Sequence, residues 1–461
     1  MNIPQKYTRF SELVSALEAE DKSDLFRYRK DGQLAFCGGK EWAELVHEKE
    51  KAMRRSEFSS VAIVGEKSPE LVAEIFAAVI SGKQVLIIDP MESVERIGLM
   101  VSFSDSQELL ADGSFEKEEI DGIRKHLKPV KRSKNKGEGD LLFFTSGTSG
   151  SPKAVVLTSA SLLDSSYNGQ SRFPCSDQDI VFSCLPLSHV FGFVCAFLWP
   201  LCYHGSIAFS NGLKNVASDV LFFHPTILPL IPSLAAFLLS QKVVNSELKS
   251  VLVGAGPLSL AFISAYRSLG IKVAFGYGLT ETSSGVAISV DSDEPFAMSP
   301  CPEDEFRVEK DGTISIHSSG LMKGYYQNEK ATEEVVKDGW LKTEDRGFLD
   351  PEGNLHILGR VDDIAVLTNG TKFDCALGEN KLLQAIGTYL DLALYAQNGE
   401  LTLKVYLPKP ELRALVDKAV AQFNLESELY TKIRSIVVSP TPLPRTRTGK
   451  LIRYRLIEEK A

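Results

Sequence analysis

The sequence predicts an α/β protein with a large N-terminal domain of doubly wound sheets plus a small antiparallel sub-barrel, and a small mobile α+β C-terminal domain. From about residue 60 to residue 275, short apolar runs suited to strands alternate with longer stretches suited to helices. That alternation is typical of parallel strands joined by helices. Beyond about Glu305, the turns Asp311-Gly312 and Pro351-Glu352-Gly353 separate alternating strands, which indicates antiparallel pairing.

The length supports this division, because 461 residues suffice for roughly three domains with a large buried core. Residues 361–461 form a compact segment with its own strand and helix patterns, as expected of a small second domain. We therefore expect a core domain over residues 1–360 and the small domain over residues 361–461.

The first elements form one strand-helix-strand unit. Residues 1 to about 58 are predicted to be a helical, charged lead-in that packs through Trp42 and Leu45. A strand (61–64), a helix (71–80) and a second strand (85–88) follow in that order. The second strand ends at Asp89-Pro90, because proline removes a backbone donor and favours turns.

A second doubly wound unit follows. Its predicted strands are 180–183, 206–209, 220–223, 251–253 and 273–275, and its predicted helices are 191–201, 227–239 and 260–268. Ligands of such sheets bind where loops leave the carboxyl ends of the strands. Three loops therefore qualify as binding loops: 186–192, 254–258 and 276–284.

Between the two units lies a loop whose composition suits phosphate binding. A strand at Leu141–Phe144 enters a run of Ser, Thr and Gly, and Lys153 precedes a second strand at Val155–Leu157. Glycines let backbone N–H groups turn inward, hydroxyls add donors, and the lysine supplies positive charge. The candidate phosphate ligands are Thr145, Ser146, Gly147, Thr148, Ser149, Gly150 and Lys153. The alternative is a flexible Ser/Gly linker, against which the lysine and the flanking strands argue.

Composition disfavours several function classes. A net charge of −9 does not favour nucleic acid or an acidic membrane as the main partner. The seven cysteines form no CxxC pair and no zinc-ligand spacing with the seven histidines, which is typical of reduced thiols in the cytoplasm. The N-terminus lacks the apolar core of a signal peptide. The apolar stretch 180–203 is interrupted by Pro186 and Pro200, so we expect a strand and a buried helix rather than stable membrane insertion.

Four further motifs follow the loop in sequence order. They are Gly276-Tyr277-Gly278-Leu279-Thr280-Glu281, Gly324-Tyr325-Tyr326, the stretch 340–345 leading to 359–363, and 444–450 with its Thr448-Gly449-Lys450 end. With the loop, they resemble the adenylate-forming superfamily of acyl-CoA synthetases, adenylation domains and luciferases. The resemblance is nearest to the medium- and long-chain acyl-CoA or acyl-carrier-protein synthetase branch. It spans about residues 60 to 455.

The resemblance implies that ATP and Mg²⁺ activate a carboxylic acid as an acyl-adenylate. The loop 145–153 matches the pyrophosphate-orienting loop of the family. Thr280 and Glu281 match its Thr-Glu pair, with the hydroxyl on the phosphates and the carboxylate on Mg²⁺, which prefers oxygen ligands. Lys450 matches the lysine that contacts the carboxylate and phosphate oxygens during adenylation. Asp362 matches the hinge about which the small domain swings between two half-reactions.

The same resemblance implies a nucleotide pocket. Tyr277, beside Gly278, matches the aromatic face for adenine, and Gly254, Ala255 and Gly256 match the small-residue turn that lets adenine lie against backbone. Asp345 matches the acceptor of both ribose hydroxyls, and Arg360 matches the arginine near the ribose and phosphates. Taken singly, Asp345 or Arg360 is equally consistent with a surface ion pair.

On the acyl side, His189 matches the gate between the acyl pocket and the thiol tunnel, the alternative being a hydrogen-bonded core histidine. The acyl pocket is then expected among the helix after His189, residues 224–230, and residues near Gly278 and Ser283. These segments are mostly apolar, with Phe191, Phe193, Phe222 and Phe223 nearby. A hydrophobic acyl or aryl acid is therefore favoured over an amino acid.

The sequence does not decide which thiol accepts the acyl group. Coenzyme A is the leading expectation, and the phosphopantetheine of an acyl carrier protein is the alternative. Residues 432–460 carry eight Lys or Arg against two Glu, which suits the phosphates of coenzyme A, an acidic carrier protein, or simply solvent. A rival of another class is a non-catalytic nucleotide- or acyl-binding relative, but Lys450, Glu281 and the loop are all present. The sequence departs from the family pattern at Ala154, Ser159 and Glu344.

Overall fold

The computed structural model describes residues 5–129, 136–145, 153–210, 212–256, 258–388, 390–445, 451–453 and 455–458, without the side chains of Leu213, Asp362, Ile457 and Glu458. Its architecture confirms the predicted fold class: two large, mostly parallel sheets, an antiparallel half-barrel sheet and a small C-terminal region. The strands of each sheet come mostly from neighbouring parts of the chain, with few exceptions.

The first large sheet has six strands, two of which flank the predicted phosphate loop in the sequence. The strand order is Gly324–Tyr325, Lys153–Leu157, Leu141–Thr145, Gln84–Ile88, Ser60–Val64 and Glu108–Ala111. The last four pair in parallel, whereas Lys153–Leu157 returns antiparallel to Leu141–Thr145. Every residue of Ser60–Val64 is buried, as expected of a parallel strand covered by helices on both faces.

The second large sheet has nine strands. Their order is Ser299–Pro300, Ser284–Val290, Lys272–Leu279, Ser250–Val253, Ile227–Leu230, Ile180–Ser183, Ser206–Phe209, Phe26–Lys30 and Gln33–Cys37. The strands from Lys272–Leu279 to Phe26–Lys30 run parallel, and antiparallel strands flank them at both edges. The carboxyl ends of the parallel strands therefore share one edge of the sheet, where the predicted binding loops lie.

Helices pack on the sheets and begin where the sequence supplies caps. Ser68 accepts a hydrogen bond from the Leu71 N–H and Pro69 follows it, an arrangement that favours a helix start. The α-helices are Phe10–Glu20, Gly39–Arg55, Pro69–Ile80, Val94–Phe103, Lys117–Arg124, Ser159–Arg172, Trp199–Cys202, Val216–Phe223, Pro232–Ser240, Leu260–Ser268, Glu329–Val335, Cys375–Ile386, Leu412–Glu426 and Arg455–Glu458. Phe191–Leu198 forms a π-helix, a rare conformation found mostly at functional sites.

The remaining strands are shorter and mostly antiparallel. The half-barrel sheet contains Asp304–Val308, Thr313–Ser318, Trp340–Leu349, Val336–Lys337 and Leu355–Arg360, and the C-terminal strands are Ile364–Val366, Lys372–Asp374, Asp391–Gln397, Glu400–Tyr406 and Ser435–Ser439. The C-terminal region has a hydrophobic core of its own, built from buried residues between Ala365 and Ile433. The boundary after residue 360 stays a prediction.

Two predicted elements of the second unit are wrong. Residues 220–223, predicted as a strand, end the helix Val216–Phe223, and residues 227–239, predicted as one helix, form the strand Ile227–Leu230 and the helix Pro232–Ser240. Pro232 explains the second error, since the residue before a proline is driven into an extended conformation. Ile231 is indeed extended, with φ −82° and ψ 156°. The first error reflects the ambiguity of any short apolar run.

The lead-in contains a hairpin that the sequence prediction missed. Phe26–Lys30 pairs antiparallel with Gln33–Cys37 across Asp31 and Gly32, both with positive φ. An Asp-Gly pair between strands is a strong hairpin signal, and it stands in the sequence. Trp42 is fully buried against Phe76, with ring centroids 5.1 Å apart, and Leu45 is partly buried, which confirms both as packing residues.

The stretch 180–203 folds as the strand Ile180–Ser183 followed by the π-helix and a short α-helix, as predicted. Among the helices that the structure describes, none has both the length and the apolar character needed to cross a membrane. The seven cysteines are all free thiols.

Candidate active site

The candidate site is organised by the carboxyl end of the strand Lys272–Leu279. A short 3₁₀ turn, Thr280–Thr282, leads from it into the antiparallel strand Ser284–Val290, and Ser283 adopts a positive φ of 54°. A side chain at Gly278 would overlap the backbone oxygen of Ser284. Glycine is therefore required where the two strands approach, and the tight turn places Thr280 and Glu281 at the strand end.

Tyr277, Asp345 and Arg360 come together on one side of this turn. The Tyr277 hydroxyl donates a hydrogen bond of 2.7 Å to Asp345 Oδ2. Arg360 Nε lies 3.7 Å from Asp345 Oδ1, which is an ion-pair distance too long for a hydrogen bond. The pairing of Leu355–Arg360 with Trp340–Leu349 sets Arg360 opposite Asp345. The structure thus brings together three residues that lie up to 83 positions apart in the sequence.

Burial controls the protonation of this group. Asp345 is 7% exposed, and burial raises the pKa of its carboxyl, while the charge of Arg360 and the hydrogen bond from Tyr277 oppose that rise. Burial and the Asp345 charge also raise the pKa of Tyr277 well above its usual value. The tyrosine therefore stays a hydrogen-bond donor at physiological pH.

Glu281 is held by a second tyrosine on the other side of the turn. Tyr325 Oη donates a 2.8 Å hydrogen bond to Glu281 Oε1, and Lys153 Nζ lies 4.8 Å from the centroid of the Tyr325 ring. The strand Gly324–Tyr325 pairs with Lys153–Leu157, setting Tyr325 opposite Val155. Burial raises the pKa of Glu281, and the Tyr325 hydrogen bond and the Lys153 charge oppose the rise.

The turn at residues 254–256 follows the strand Ser250–Val253, next to Lys272–Leu279 in the sheet. Ala255 has a φ of 65°, a strained value for a residue with a side chain. A Cβ at Gly254 would lie 2.8 Å from the Phe191 ring, so the turn and the π-helix are in close contact. The small residues therefore keep backbone accessible here, and their adenine-binding role stays a prediction.

His189 lies one turn before the π-helix, and its carbonyl oxygen accepts a 2.8 Å hydrogen bond from the Phe193 N–H. The histidine is half-buried, and its gating role stays a prediction. The phenylalanines that were expected near one acyl pocket lie in different parts of the structure. Phe193 is a core residue beside Phe143, and the Phe222 ring stacks under the Arg29 guanidinium at 3.7 Å.

Several predicted site residues lie outside the described part of the chain. They are Ser146, Gly147, Thr148, Ser149, Gly150 and Lys450. The side chain of Asp362 is likewise outside it. At the edges of the loop, the Thr145 hydroxyl donates a 3.4 Å hydrogen bond to the Lys153 carbonyl.

Two partners were missed by sequence reasoning. Tyr325 stands in the Gly-Tyr-Tyr motif, but nothing in the sequence assigns its hydroxyl to Glu281. Glu344 was noted only as a departure from the family pattern, and in the structure its carboxylate pairs with Arg360 Nη2. Both contacts join elements that are separate in the sequence, so knowledge of the tertiary structure would have been needed to find them.

The residues present fit ATP and Mg²⁺. Arg360 Nε is buried and has no hydrogen-bond acceptor in the described structure, which suits a donor waiting for a ligand oxygen. Glu281 offers one carboxylate, and no cluster of three or more His, Cys, Asp or Glu suited to a metal occurs in the described residues. Mg²⁺ is usually held by one or two carboxylates together with substrate phosphates, so a single carboxylate is the appropriate donor set.

Comparisons with known proteins agree with this geometry. The family described as "AMP-binding enzyme" matches residues 55–326. The 2-succinylbenzoate–CoA ligase of Bacillus subtilis is 28% identical over 441 residues, covering 86% of this chain and 87% of that protein. The long-chain-fatty-acid–CoA ligase FadD15 of Mycobacterium bovis is 27% identical, covering 69% and 67%. The o-succinylbenzoate CoA synthetase of Bacillus subtilis, solved with its acyl-adenylate intermediate, has the same fold, with a TM-score of 0.81, 22% identity and 99% coverage of both chains.

Proposed function

Since this chain belongs to the AMP-binding enzyme family, which matches more than half of its length, we propose that it is an ATP-dependent, AMP-forming acid–thiol ligase. It activates a hydrophobic carboxylic acid as the acyl-adenylate and then transfers the acyl group to the thiol of coenzyme A. The relatives named above are CoA ligases, which supports coenzyme A over a carrier protein as the acceptor.

One observation carries the proposal: two carboxylates, each with a tyrosine donor, flank the end of a single strand. Asp345 is bound by Tyr277 and Glu281 by Tyr325. A sugar with two vicinal hydroxyls requires an acceptor such as Asp345, and a phosphate-bound Mg²⁺ requires a carboxylate such as Glu281. The two needs of a Mg²⁺-bound nucleotide are therefore met at neighbouring positions.

The nucleotide side of the mechanism follows from these contacts. Asp345 accepts the ribose hydroxyls, and the Tyr277 hydroxyl holds the carboxylate in place. Arg360 Nε, which faces Asp345, donates to an oxygen of the nucleotide. Positioning of this kind lowers the barrier because the reacting groups are held in line before the chemical step.

The phosphate side requires charge neutralisation. Glu281 would hold Mg²⁺, which would supply positive charge to the phosphates as pyrophosphate leaves. Lys153 adds a positive charge on the same side, Thr280 donates to the phosphates, and residues 145–153 orient the pyrophosphate. Lys450 contacts the acid and the α-phosphate during attack. These roles are proposals for the whole set of predicted site residues, including those outside the described part of the chain.

In the second half-reaction, the thiolate attacks the acyl carbon and AMP leaves. We propose that His189 gates the thiol path and that residues 361–461 swing about Asp362 between the two steps. Loading of an acyl carrier protein is the second candidate, supported by the basic segment 432–460. A role in fatty acid metabolism and a cytoplasmic location belong to the same proposal.

The test is carboxylate-dependent exchange of pyrophosphate into ATP over a panel of acids, followed by thioester formation with coenzyme A or a carrier protein. We expect acid-dependent exchange, loss of exchange in Lys450→Ala, and thioester formation with coenzyme A. Lys418→Ala is the matched control, because it removes an exposed lysine from the helix Leu412–Glu426 without touching the site. Absence of exchange with every acid would overturn the proposed function.

A further inference from the structure

A small cavity of about 30 Å³ lies beside the candidate site. One wall is Gly285, which pairs directly with Gly278 across the two antiparallel strands, a separation of about 5 Å. The opposite wall comes from Val194 and Cys195 of the π-helix. Cys195 Sγ lies 3.4 Å from Ser284 Oγ. The cavity therefore adjoins the turn that carries Thr280 and Glu281.

Two glycines create this space. Gly169 and Gly285 both line the cavity, and a Cβ added to either would meet no atom within 4 Å. A larger residue at these positions would thus occupy the cavity rather than collide with backbone. Their lack of a side chain leaves room for part of a ligand.

Large side chains also line the cavity. Trp199 is 3% exposed, its ring lies 5.6 Å from that of Phe173, and its indole N–H donates a 2.8 Å hydrogen bond to Gln170. Leu252 and Ile288 line the cavity as well. At about 10 to 15 Å³ for each water-sized group, the cavity accepts two or three such groups. A long alkyl chain would have to displace a hydrogen-bonded indole.

In the described structure, the cavity also has no charged side chain that could pair with a charged group of a ligand. None of the described residues that line it carries a charged side chain. Its unpaired polar atom is the hydroxyl of Ser165, which is 4% exposed and has no hydrogen-bond partner in the described structure. A carboxylate buried in such surroundings would lose its hydration without gaining a cation, whereas a neutral substituent would accept a hydrogen bond from Ser165.

We propose that the acid activated by this protein is compact and has no charge besides its reacting carboxylate, and that Gly285 and Cys195 set its size. Benzoate and hexanoate represent this class, with only the two or three carbons farthest from the reacting carboxylate placed in the cavity. The inference rests on the proposed function. It excludes, for this chain, both kinds of acid in the names of its relatives: 2-succinylbenzoate has a second carboxylate, and the alkyl chain of a long-chain fatty acid exceeds the volume of the cavity.

The test measures kcat/KM in pyrophosphate exchange with benzoate, hexanoate, hexadecanoate and 2-succinylbenzoate. Benzoate or hexanoate is expected to exceed the other two by about 100-fold or more, since steric exclusion and an unpaired buried charge both act against them. Exchange that is best with hexadecanoate or 2-succinylbenzoate would overturn the inference and leave the proposed function standing. Exchange with none of a wider panel would overturn both.

Variants test the size-setting residues. Gly285→Val is expected to raise KM for the larger accepted acid about 10-fold or more, because the cavity is filled, and to leave KM for ATP unchanged. Cys195→Ala is expected to shift the preference toward a bulkier acid such as 4-methylbenzoate. Gly113→Ala, at an exposed glycine with open space around it, is the matched control. An unchanged acid preference in both cavity variants, with KM for ATP and the thermal midpoint retained, would refute the assignment of these residues.

Discussion

Replacing Tyr277 by Phe removes one hydroxyl from the candidate nucleotide site and leaves the ring in place. That hydroxyl is the 2.7 Å hydrogen-bond donor to Asp345, which is 7% exposed. After the change, a buried carboxylate has only Arg360 opposite it, at 3.7 Å. The ring contact proposed for adenine is retained, so the variant isolates the contribution of the hydroxyl to holding Asp345.

The expected magnitude follows from the charge on the acceptor. Hydrogen bonds to charged groups contribute about 1.5 to 3 kcal/mol, which corresponds to about a 10- to 150-fold rise in KM for ATP. A shift in pH dependence is expected as well. The Asp345 pKa is already raised by burial, and losing the Tyr277 donor raises it further. ATP binding, which needs the ionised carboxylate, is therefore lost at a higher pH in the variant as pH falls.

The assay is pyrophosphate exchange at several ATP concentrations and pH values, with the best acid held saturating. Tyr266→Phe is the matched control, since Tyr266 is 1% exposed and its hydroxyl donates a 2.6 Å hydrogen bond to the Ala235 carbonyl, away from the site. The control is expected to lower thermal stability and leave KM for ATP unchanged. Equal KM values for ATP in wild type and Tyr277→Phe, together with the same loss of ATP binding at low pH, would refute the reasoning.

Three further changes test the site and its support. Glu281→Gln is expected to weaken Mg²⁺ activation of exchange at least about 10-fold, because a neutral amide replaces a charged ligand; an unchanged Mg²⁺ titration would contradict the metal role. Gly278→Ala is expected to cost more than about 2 kcal/mol in urea unfolding, because its Cβ would overlap the Ser284 backbone; equal stability would contradict that. Burial raises the pKa of Asp304 to about 7, so its stabilising contribution is complete below about pH 4 and is lost as pH rises toward 7. The free energy of unfolding of Asp304→Asn, relative to wild type, should therefore rise by up to about 4 kcal/mol between pH 4 and pH 8. A difference between the two proteins that does not vary with pH would contradict the raised pKa.

Much of the fold could be predicted because the parallel strands are short, apolar and separated by helices of ordinary length. The helix Leu260–Ser268 has the predicted bounds. The failures at residues 220–239 lie in short apolar runs, which have no period that separates a strand from a helix. Pro232 marks the boundary between the strand Ile227–Leu230 and the helix that follows, through the extended backbone that it imposes on Ile231. The Asp31-Gly32 hairpin was predictable from its turn, but the surrounding charged residues favoured a helical interpretation.

The candidate site was predictable to the level of motifs but not of contacts. Tyr277, Glu281 and Asp345 each stand in a motif, and the structure places them around the same strand end. Their hydrogen-bond partners come from other strands, which sequence spacing does not determine. The sequence predicted an acyl pocket near Gly278 and Ser283, which stays a prediction. It did not predict the cavity at Gly285, because the volume of that cavity depends on Trp199 and Leu252, which pack from other elements.

The two tyrosine–carboxylate pairs explain how buried acids remain usable as acceptors. Burial raises the pKa of both Asp345 and Glu281, which alone would favour the neutral forms that bind neither ribose hydroxyls nor Mg²⁺ well. Each tyrosine donates to the ionised carboxylate and so opposes that rise, and its own pKa is raised by burial and by the same charge. The proton therefore stays on the tyrosine while the carboxylate ionises. If Asp345 and Glu281 have the roles proposed above, we expect Tyr277 to set the low-pH limit of nucleotide binding and Tyr325 that of Mg²⁺ binding. Because the pairs are separate, Tyr277→Phe and Tyr325→Phe should then shift the two limits independently.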